Sequence, residues 1–303
     1  MITYALSAGA FKNHVTEPIA AAIRKSRFRN FEPYFGTFIR DDEASRLTAR
    51  LMRELVKEGV YRPASVHLPF YGYGDDCWDP SCLDEACRKD LVARLTKLVR
   101  DYADLMAPMV TFHASGQPPL HEHPQRIGQV CKSIEELLPV AREVGFVINV
   151  EFLPRTCVGN CTEELLQIVS NFDADQVGIC LDVNHIMDRY KELPAMIDLL
   201  APRIRSFHIC DYDGVDENHW MPGQGIHDWP EIMRHIRAID HDVLLILETS
   251  MQLTSINRSV DPIFAIRQNE NACWFLENCK GSSRKWQHLN CPGINKSAFY
   301  EEQ

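Results

Sequence analysis

The sequence lacks any apolar run near the ~18 residues that a membrane-spanning helix needs. Its N-terminus, MITYALSAGAF, has no basic segment leading into a long apolar stretch. Together these absences predict a soluble intracellular, cytoplasmic protein without a membrane partner. Positive charge is also in short supply: 32 Lys and Arg stand against 42 Asp and Glu, a formal net charge of -10. Nucleic acid binding is driven by Lys and Arg that neutralise phosphates, so no nucleic acid partner is expected and a small-molecule substrate fits better. No linker rich in Gly, Ser or Pro interrupts the 303 residues, which excludes an obvious domain boundary. No Gly-rich phosphate cradle follows the late apolar runs either; the turn of Gly223, Gln224 and Gly225 is too short for one.

Cysteine, in contrast, is plentiful, with eleven scattered along the chain. Cys180 and Cys210 lie inside apolar runs, where a thiol behaves as a small hydrophobe. Cys77 with Cys82 and Cys157 with Cys161 are loop pairs, but neither has a second pair at zinc-site spacing. Reduced thiols are the expectation.

Short apolar runs recur at 2–8, 31–35, 65–68, 109–113, 146–151, 176–182, 204–210 and 243–248. Segments with apolar residues three and four apart alternate with them, at 17–27, 43–57, 83–105, 124–144, 162–171, 194–200, 229–239 and 261–277. Strand alternating with helix implies a parallel sheet, and eight such units predict an α/β fold, a single (β/α)8 TIM barrel, over 1–280. The polar stretch 281–303 is expected to be a C-terminal tail.

From the third run to the eighth, each ends in a side chain that can hold a metal. VHLPF carries His67, VTFHASG His113, VINVEF Glu151, ICLDVNH Asp182 and His185, SFHICD His208, and LLILETS Glu248. The densest cluster follows the seventh run, in FHICDYDGVDENHWMPGQG, with His208, Asp211, Asp213, Asp216, Glu217 and His219. All these run ends would lie on one rim of the barrel, where such folds keep their chemistry. Carboxylates and imidazoles converging in a cavity repel or pay for desolvation unless a cation joins them. A bound metal is therefore expected.

This pattern resembles the xylose isomerase-like barrel superfamily, in the sugar phosphate isomerase/epimerase group related to apurinic-site endonucleases. The resemblance runs from Met1 to near Glu277 and is strongest from Glu151 to Glu248. It implies one divalent ion held by Glu151, Asp182, His208 and Glu248, with His185 beside the substrate. Three carboxylates and one imidazole suit Mn²⁺, Mg²⁺ or Co²⁺ and tolerate Zn²⁺. Glu151 and Glu248 would be the catalytic acid and base on a polyhydroxy carbonyl substrate that reacts through a cis-enediolate. His67, His113, Arg155, His185, Glu217 and His219 are the expected substrate-binding groups, with Tyr71 and Trp78 from the loop PFYGYGDDCWDP, whose aromatics suit stacking on a sugar ring.

A related resemblance, to the trinuclear-zinc endonucleases, covers His67, His113, Glu151, Asp182, His185, His208, His219 and Glu248, with Glu217 replacing an Asp. The acidity of the chain and the run Glu151-Phe-Leu-Pro-Arg155 favour sugar chemistry. The remaining alternatives are a dehydratase or lyase on a keto-polyol and a metal-stabilised binding subunit without catalysis. A homo-oligomer is common among proteins of this resemblance.

Overall fold

A computed structural model describes residues 1–70, 77–249 and 261–280. The tail 281–303 lies outside them, as do Tyr71 and Tyr73 of the aromatic loop. Among the described residues, nine parallel strands form one sheet: β1 (Ile2–Ser7), β2 (Asn30–Glu32), β3 (Arg62–Pro63), β4 (Val66–His67), β5 (Met109–Phe112), β6 (Val147–Glu151), β7 (Val177–Asp182), β8 (Ile204–Ile209) and β9 (Val243–Leu247). Their order is β3-β2-β1-β9-β8-β7-β6-β5-β4, a ring whose two ends are consecutive in the chain. Eight α-helices of the described residues surround it: α1 (Glu17–Lys25), α2 (Glu43–Lys57), α3 (Glu85–Asp101), α4 (His123–Val144), α5 (Thr162–Val169), α6 (Leu193–Leu200), α7 (Trp229–Ala238) and α8 (Pro262–Asn278). The (β/α)8 TIM barrel read from the alternation is the fold.

One unit departs from the expected pattern. The third run, 65–68, holds β4, but a further short strand, β3, precedes it outside the run; β3 pairs with β2, and β4 pairs with β5. Pro63 has no N–H to continue a ladder, and the chain steps sideways after it. Ala64 N donates to Phe31 O at 2.9 Å and His67 N to Pro33 O at 2.9 Å, so hydrogen bonds still cross the seam and nearly close the ring.

The helices form where pattern and caps agree. Asp42 accepts from Ser45 N at the start of α2, whose Leu51, Met52 and Leu55 are buried at helical spacing. Asp228 caps α7 in the same way through Glu231 N. The strands need no alternation to be recognised, because helices cover their outer face: all of β7 and β9 is buried. At roughly 1.5–3 kcal/mol per fully buried Val, Leu or Ile, this packing outweighs any single polar contact in fixing the fold.

Successive side chains of a strand point to opposite faces, which sorts the barrel interior into layers. Ala5, Leu244 and Ile246 form an apolar cluster of their own, with Ala64 and Met109 packed against it. Asn149 and Ser206 bond to one another at 3.3 Å. Two residues further along the same strands come Glu151, His208 and Glu248. The layer above the packed interior is thus the one that carries the acids and imidazoles.

Candidate metal centre

Register brings the strand-end residues together. Asp182 is directly opposite His208 across β7 and β8, and Glu151 is opposite Cys180 across β6 and β7. His208 is the hub. Its Nδ1 lies 2.9 Å from Glu151 Oε1, 2.9 Å from Glu248 Oε2 and 3.7 Å from Asp182 Oδ2. Its Nε2 faces Glu32 Oε1 at 3.0 Å. Glu151, Asp182 and His208 are buried, whereas the Glu248 side chain is 25% exposed. One donor atom from each of Glu151, Asp182, His208 and Glu248 lies within 4.8 Å of the others.

Glu151 is ringed by imidazoles. His113 Nε2 is 2.7 Å and His67 Nε2 3.5 Å from its Oε2, and His185 Nδ1 is 3.6 Å from its Oε1. Burial alone would raise the Glu151 carboxyl, yet His113 and His208 hold it well below the usual carboxylate range. Glu248 is lowered too, by His208 and His219 acting against its burial. Burial pulls His67 toward neutrality, but Glu151, Glu32 and Glu248 push its pKa up to about 9. For His113 burial prevails and its pKa falls.

Two observations fit a cation at this point. Asp182 Oδ2 is buried and makes no hydrogen bond, although buried carboxylate oxygens normally accept one, and Glu151 Oε2 is met by imidazoles, His113 at 2.7 Å and His67 at 3.5 Å. Secondly, a ligating histidine usually gives its other N–H to a carboxylate, which turns its free nitrogen toward the metal. Glu32 is that partner for His208, and it leaves Nδ1 among Glu151, Asp182 and Glu248. The donor set is mostly hard oxygen, suited to Mg²⁺, Mn²⁺ or Co²⁺ and tolerant of Zn²⁺.

Around this core the other expected residues take distinct places. His67 Nδ1 donates to Leu68 O at 2.9 Å and His185 Nδ1 to Phe152 O at 2.8 Å. In each case Nε2 is turned into the centre, and His185 Nε2 lies 3.4 Å from Asp182 Oδ2 and 3.9 Å from Glu217 Oε2. Arg155, expected to orient a substrate hydroxyl or carboxylate, is engaged elsewhere. Its guanidinium pairs with Glu217 and, at 2.8 Å, with Asp216, tying the loop after β6 to the loop after β8. Trp78 stacks beneath Arg94 of α3 at 4.5 Å and lines a cavity of about 930 Å³ with Phe38 and Tyr102, rather than packing on the histidines. Tyr71 lies outside the described residues. The ring that does cover the histidines is Phe70, stacked on His113 with centroids 4.0 Å apart.

Three residues were not legible as site components. Glu32 ends β2 inside a run that shows only aromatic and apolar neighbours; its signal was the strand-end position shared with the other acids. Tyr34 packs edge-on to His67 and close to Phe70, and Gly36 is required beneath it, since a Cβ there would lie 2.2 Å from the ring. Asp211, part of the acidic cluster after the seventh run, is a loop organiser. It is fully buried and accepts from Gly223 N at 2.8 Å, His227 N at 3.1 Å and Trp229 Nε1 at 2.8 Å. Gly225 follows from the same packing: a Cβ there would sit 2.1 Å from Tyr212 O. The cysteines of the described residues are all free, as expected. No helix among the described residues is long and apolar enough to cross a membrane.

Residues 20–267 match the family described as xylose isomerase-like TIM barrel. An uncharacterized protein of Methanocaldococcus jannaschii is 24% identical over 189 residues, which span 60% of this chain and 63% of that protein. A D-psicose 3-epimerase, solved in the presence of D-fructose, superposes with a TM-score of 0.73 at 17% identity, covering 92% of this chain and 99% of the epimerase. The IOLI protein, solved with a binding zinc atom, gives 0.68 at 15% identity over 90% of this chain and 97% of its own.

Proposed function

The chain belongs to the xylose isomerase-like TIM barrel family, and from that premise we propose that it is a divalent-metal-dependent sugar isomerase or epimerase. Its substrate would be a small polyhydroxy carbonyl compound. The observation that carries this reading is the convergence of Glu151, Asp182 and Glu248 on His208 Nδ1, with the buried Asp182 Oδ2 left without a hydrogen bond. One Mn²⁺, Mg²⁺, Co²⁺ or Zn²⁺, when bound by these four residues, would supply the positive charge that polarises a substrate carbonyl and acidifies the neighbouring C–H.

The chain's own residues do the rest. Glu151 and Glu248 both have depressed pKa values, so each is ionised at neutral pH and able to take a proton from carbon. Glu248, the more open to solvent, would exchange with water a proton it has taken from carbon; Glu151, buried among imidazoles, would return to the enediolate the proton it has taken. His185 and His219, on the loop side, would hydrogen-bond substrate hydroxyls. Arg155 would hold Glu217 and the loop after β8 in place rather than touch substrate. Phe70 excludes water above His113. The sugar epimerase relatives support this chemistry, since their whole chains superpose on this one.

The test is to replace Glu151 by Gln and Glu248 by Gln and to follow solvent deuterium into a panel of ketoses, aldoses and inososes. Each change should slow exchange and turnover by about 10²–10⁴ fold. Full turnover in both variants would end the reading. An absorbing enone among the products would move the assignment to a keto-polyol dehydratase, and ligand binding without exchange to a non-catalytic subunit. A second reading has one observation in its favour: His67, His113 and Glu151 also bring donors within 4.8 Å of one another. A centre with several zinc ions acting as a hydrolase on abasic DNA would use that triad, and would cleave such DNA while leaving sugars unexchanged.

A further inference from the structure

Three half-buried cysteines, Cys77, Cys82 and Cys87, cluster where the chain enters α3. Local turns bring them together. Cys77 Sγ lies 4.0 Å from Asp79 O, the same carbonyl that accepts from Cys82 N at 3.0 Å. Asp84, the N-cap of α3, accepts from Cys87 N at 3.2 Å. In this arrangement the Cys82 thiol meets the Cys77 thiol on one side and the Cys87 thiol on the other.

The backbone that carries the thiols is held from two helices. Gln129 Nε2 of α4 donates to Cys82 O at 3.2 Å, and Arg126 of α4 reaches Asp79 Oδ2 at 3.0 Å. From α3, Arg94 Nη2 donates to Cys77 O at 2.7 Å. Neighbouring thiols can serve a soft cation or covalent sulfur chemistry. The cation is disfavoured here: among the described residues, no trio of metal-competent donors within 4.8 Å of one another includes any of these three cysteines. Burial, with Asp79 near Cys82 and Asp84 near Cys87, pushes these two thiols up. A thiol of high pKa is slow to attack an oxidant, and once bonded it is a poor leaving group, so a disulfide made from it is also slow to reopen.

We propose that Cys82 is a modification site, the pivot of a reversible disulfide that it forms with Cys77 or, by exchange, with Cys87. The oxidant is a low-molecular-weight disulfide of the glutathione class. One protein thiolate attacks it, releasing one small thiol and leaving a mixed disulfide. The second protein thiolate then attacks the protein sulfur of that mixed disulfide, and the second small thiol leaves. Two protein thiols thereby lose two protons and two electrons, which the small disulfide takes up as two thiols. The bond to Cys77 would fasten the turn that carries Trp78. This site goes beyond the epimerase reading and stands whether or not the chain moves protons on sugars.

The full chain, reduced and then freed of reductant, is incubated with oxidised and reduced glutathione at graded ratios, alkylated, and mapped by peptide mass spectrometry. The expected result is an internal cross-link that contains Cys82, with two alkylatable thiols lost per chain, reversed by excess reduced glutathione. Cys77→Ser should move the link to Cys82 and Cys87, and Cys87→Ser should leave it between Cys77 and Cys82. Cys82→Ser should abolish it and let glutathione adducts accumulate instead. Cys157 and Cys161, close in sequence but with Cys157 buried, serve as the internal control and should stay unlinked. Glutathione adducts alone in the wild-type chain, or a link between Cys157 and Cys161 in equal yield, would overturn the proposal. The wild-type map decides even where a variant fails to fold. Failure of the sugar reading would show as absent deuterium exchange, with the Cys82 link untouched.

Discussion

From β6 to β9 the strands run 5, 6, 6 and 5 residues, whereas β2, β3 and β4 have 3, 2 and 2. The long arc carries Glu151, Asp182 and His208 on paired strands, with one register shift between Ile179 and Cys180, and Glu248 one residue past β9, where its N–H donates to Ile209 O at 3.2 Å. In the short arc the chain steps aside at Pro63, and its contributions, Glu32, Tyr34, His67 and Phe70, are placed by packing and by single hydrogen bonds. The two arcs meet at His208, where the long arc presents Nδ1 to the carboxylates and the short arc holds Nε2 through Glu32. The difference teaches a division of labour. Strand pairing sets where a cation could be held, and the irregular chain sets the orientation of the imidazole that faces that point.

The strongest way to break that division is to loosen the long arc at its loop. Asp211→Ala leaves two buried donors, on His227 and Trp229, without an acceptor, and frees the exposed Gly223 N–H to water. At about 1–3 kcal/mol for each buried donor left unmade, denaturant unfolding should show a loss of at least about 2 kcal/mol. A loss under about 1 kcal/mol would mean that the loop is held by something else.

A smaller effect is expected from the short arc. Glu32→Gln preserves shape and can still meet Thr111 Oγ1, which donates to Glu32 Oε2 at 2.9 Å, but it removes the charge facing His208. Metal affinity should weaken about 10–100 fold while unfolding is little changed. Unaltered affinity in a calorimetric titration would reduce the short arc to packing alone.

The smallest expected effect lies outside both arcs, on the helices behind them. Arg88 holds Glu85 down to about 2 and joins α3 to Ser133 and Glu136 of α4; Arg234 holds Glu231 at about 2 within α7. Both carboxyls are depressed from 4.5 in the folded chain, so their contribution is complete above that value and fades as pH falls toward 2. Melting temperature should therefore decline between pH 5 and about pH 2, and Glu85→Gln should flatten the decline. An unchanged slope in Glu85→Gln would leave the Arg88 network without a role in acid stability.

Much of this was readable before any coordinates. The alternation of apolar runs with helical periodicity specified the barrel, because strand and helix periods are local properties of a chain. The acids and histidines at the run ends mark the rim, since one such buried group is usually just a satisfied core residue but six successive run ends of this kind are hard to explain that way. Glu151, Asp182, His208 and Glu248 are therefore legible, and so are His67 and His113. Glu32 was not, since its value lies in a contact with His208, 176 residues away in sequence. Arg155 reads as a substrate clamp in sequence, yet Asp216 and Glu217 sit within its reach only after the loops fold. Composition and periodicity determine which elements form and which faces they bury; partners brought together by closing the ring, the carboxylate behind His208 and the acids beside Arg155, exist only in three dimensions.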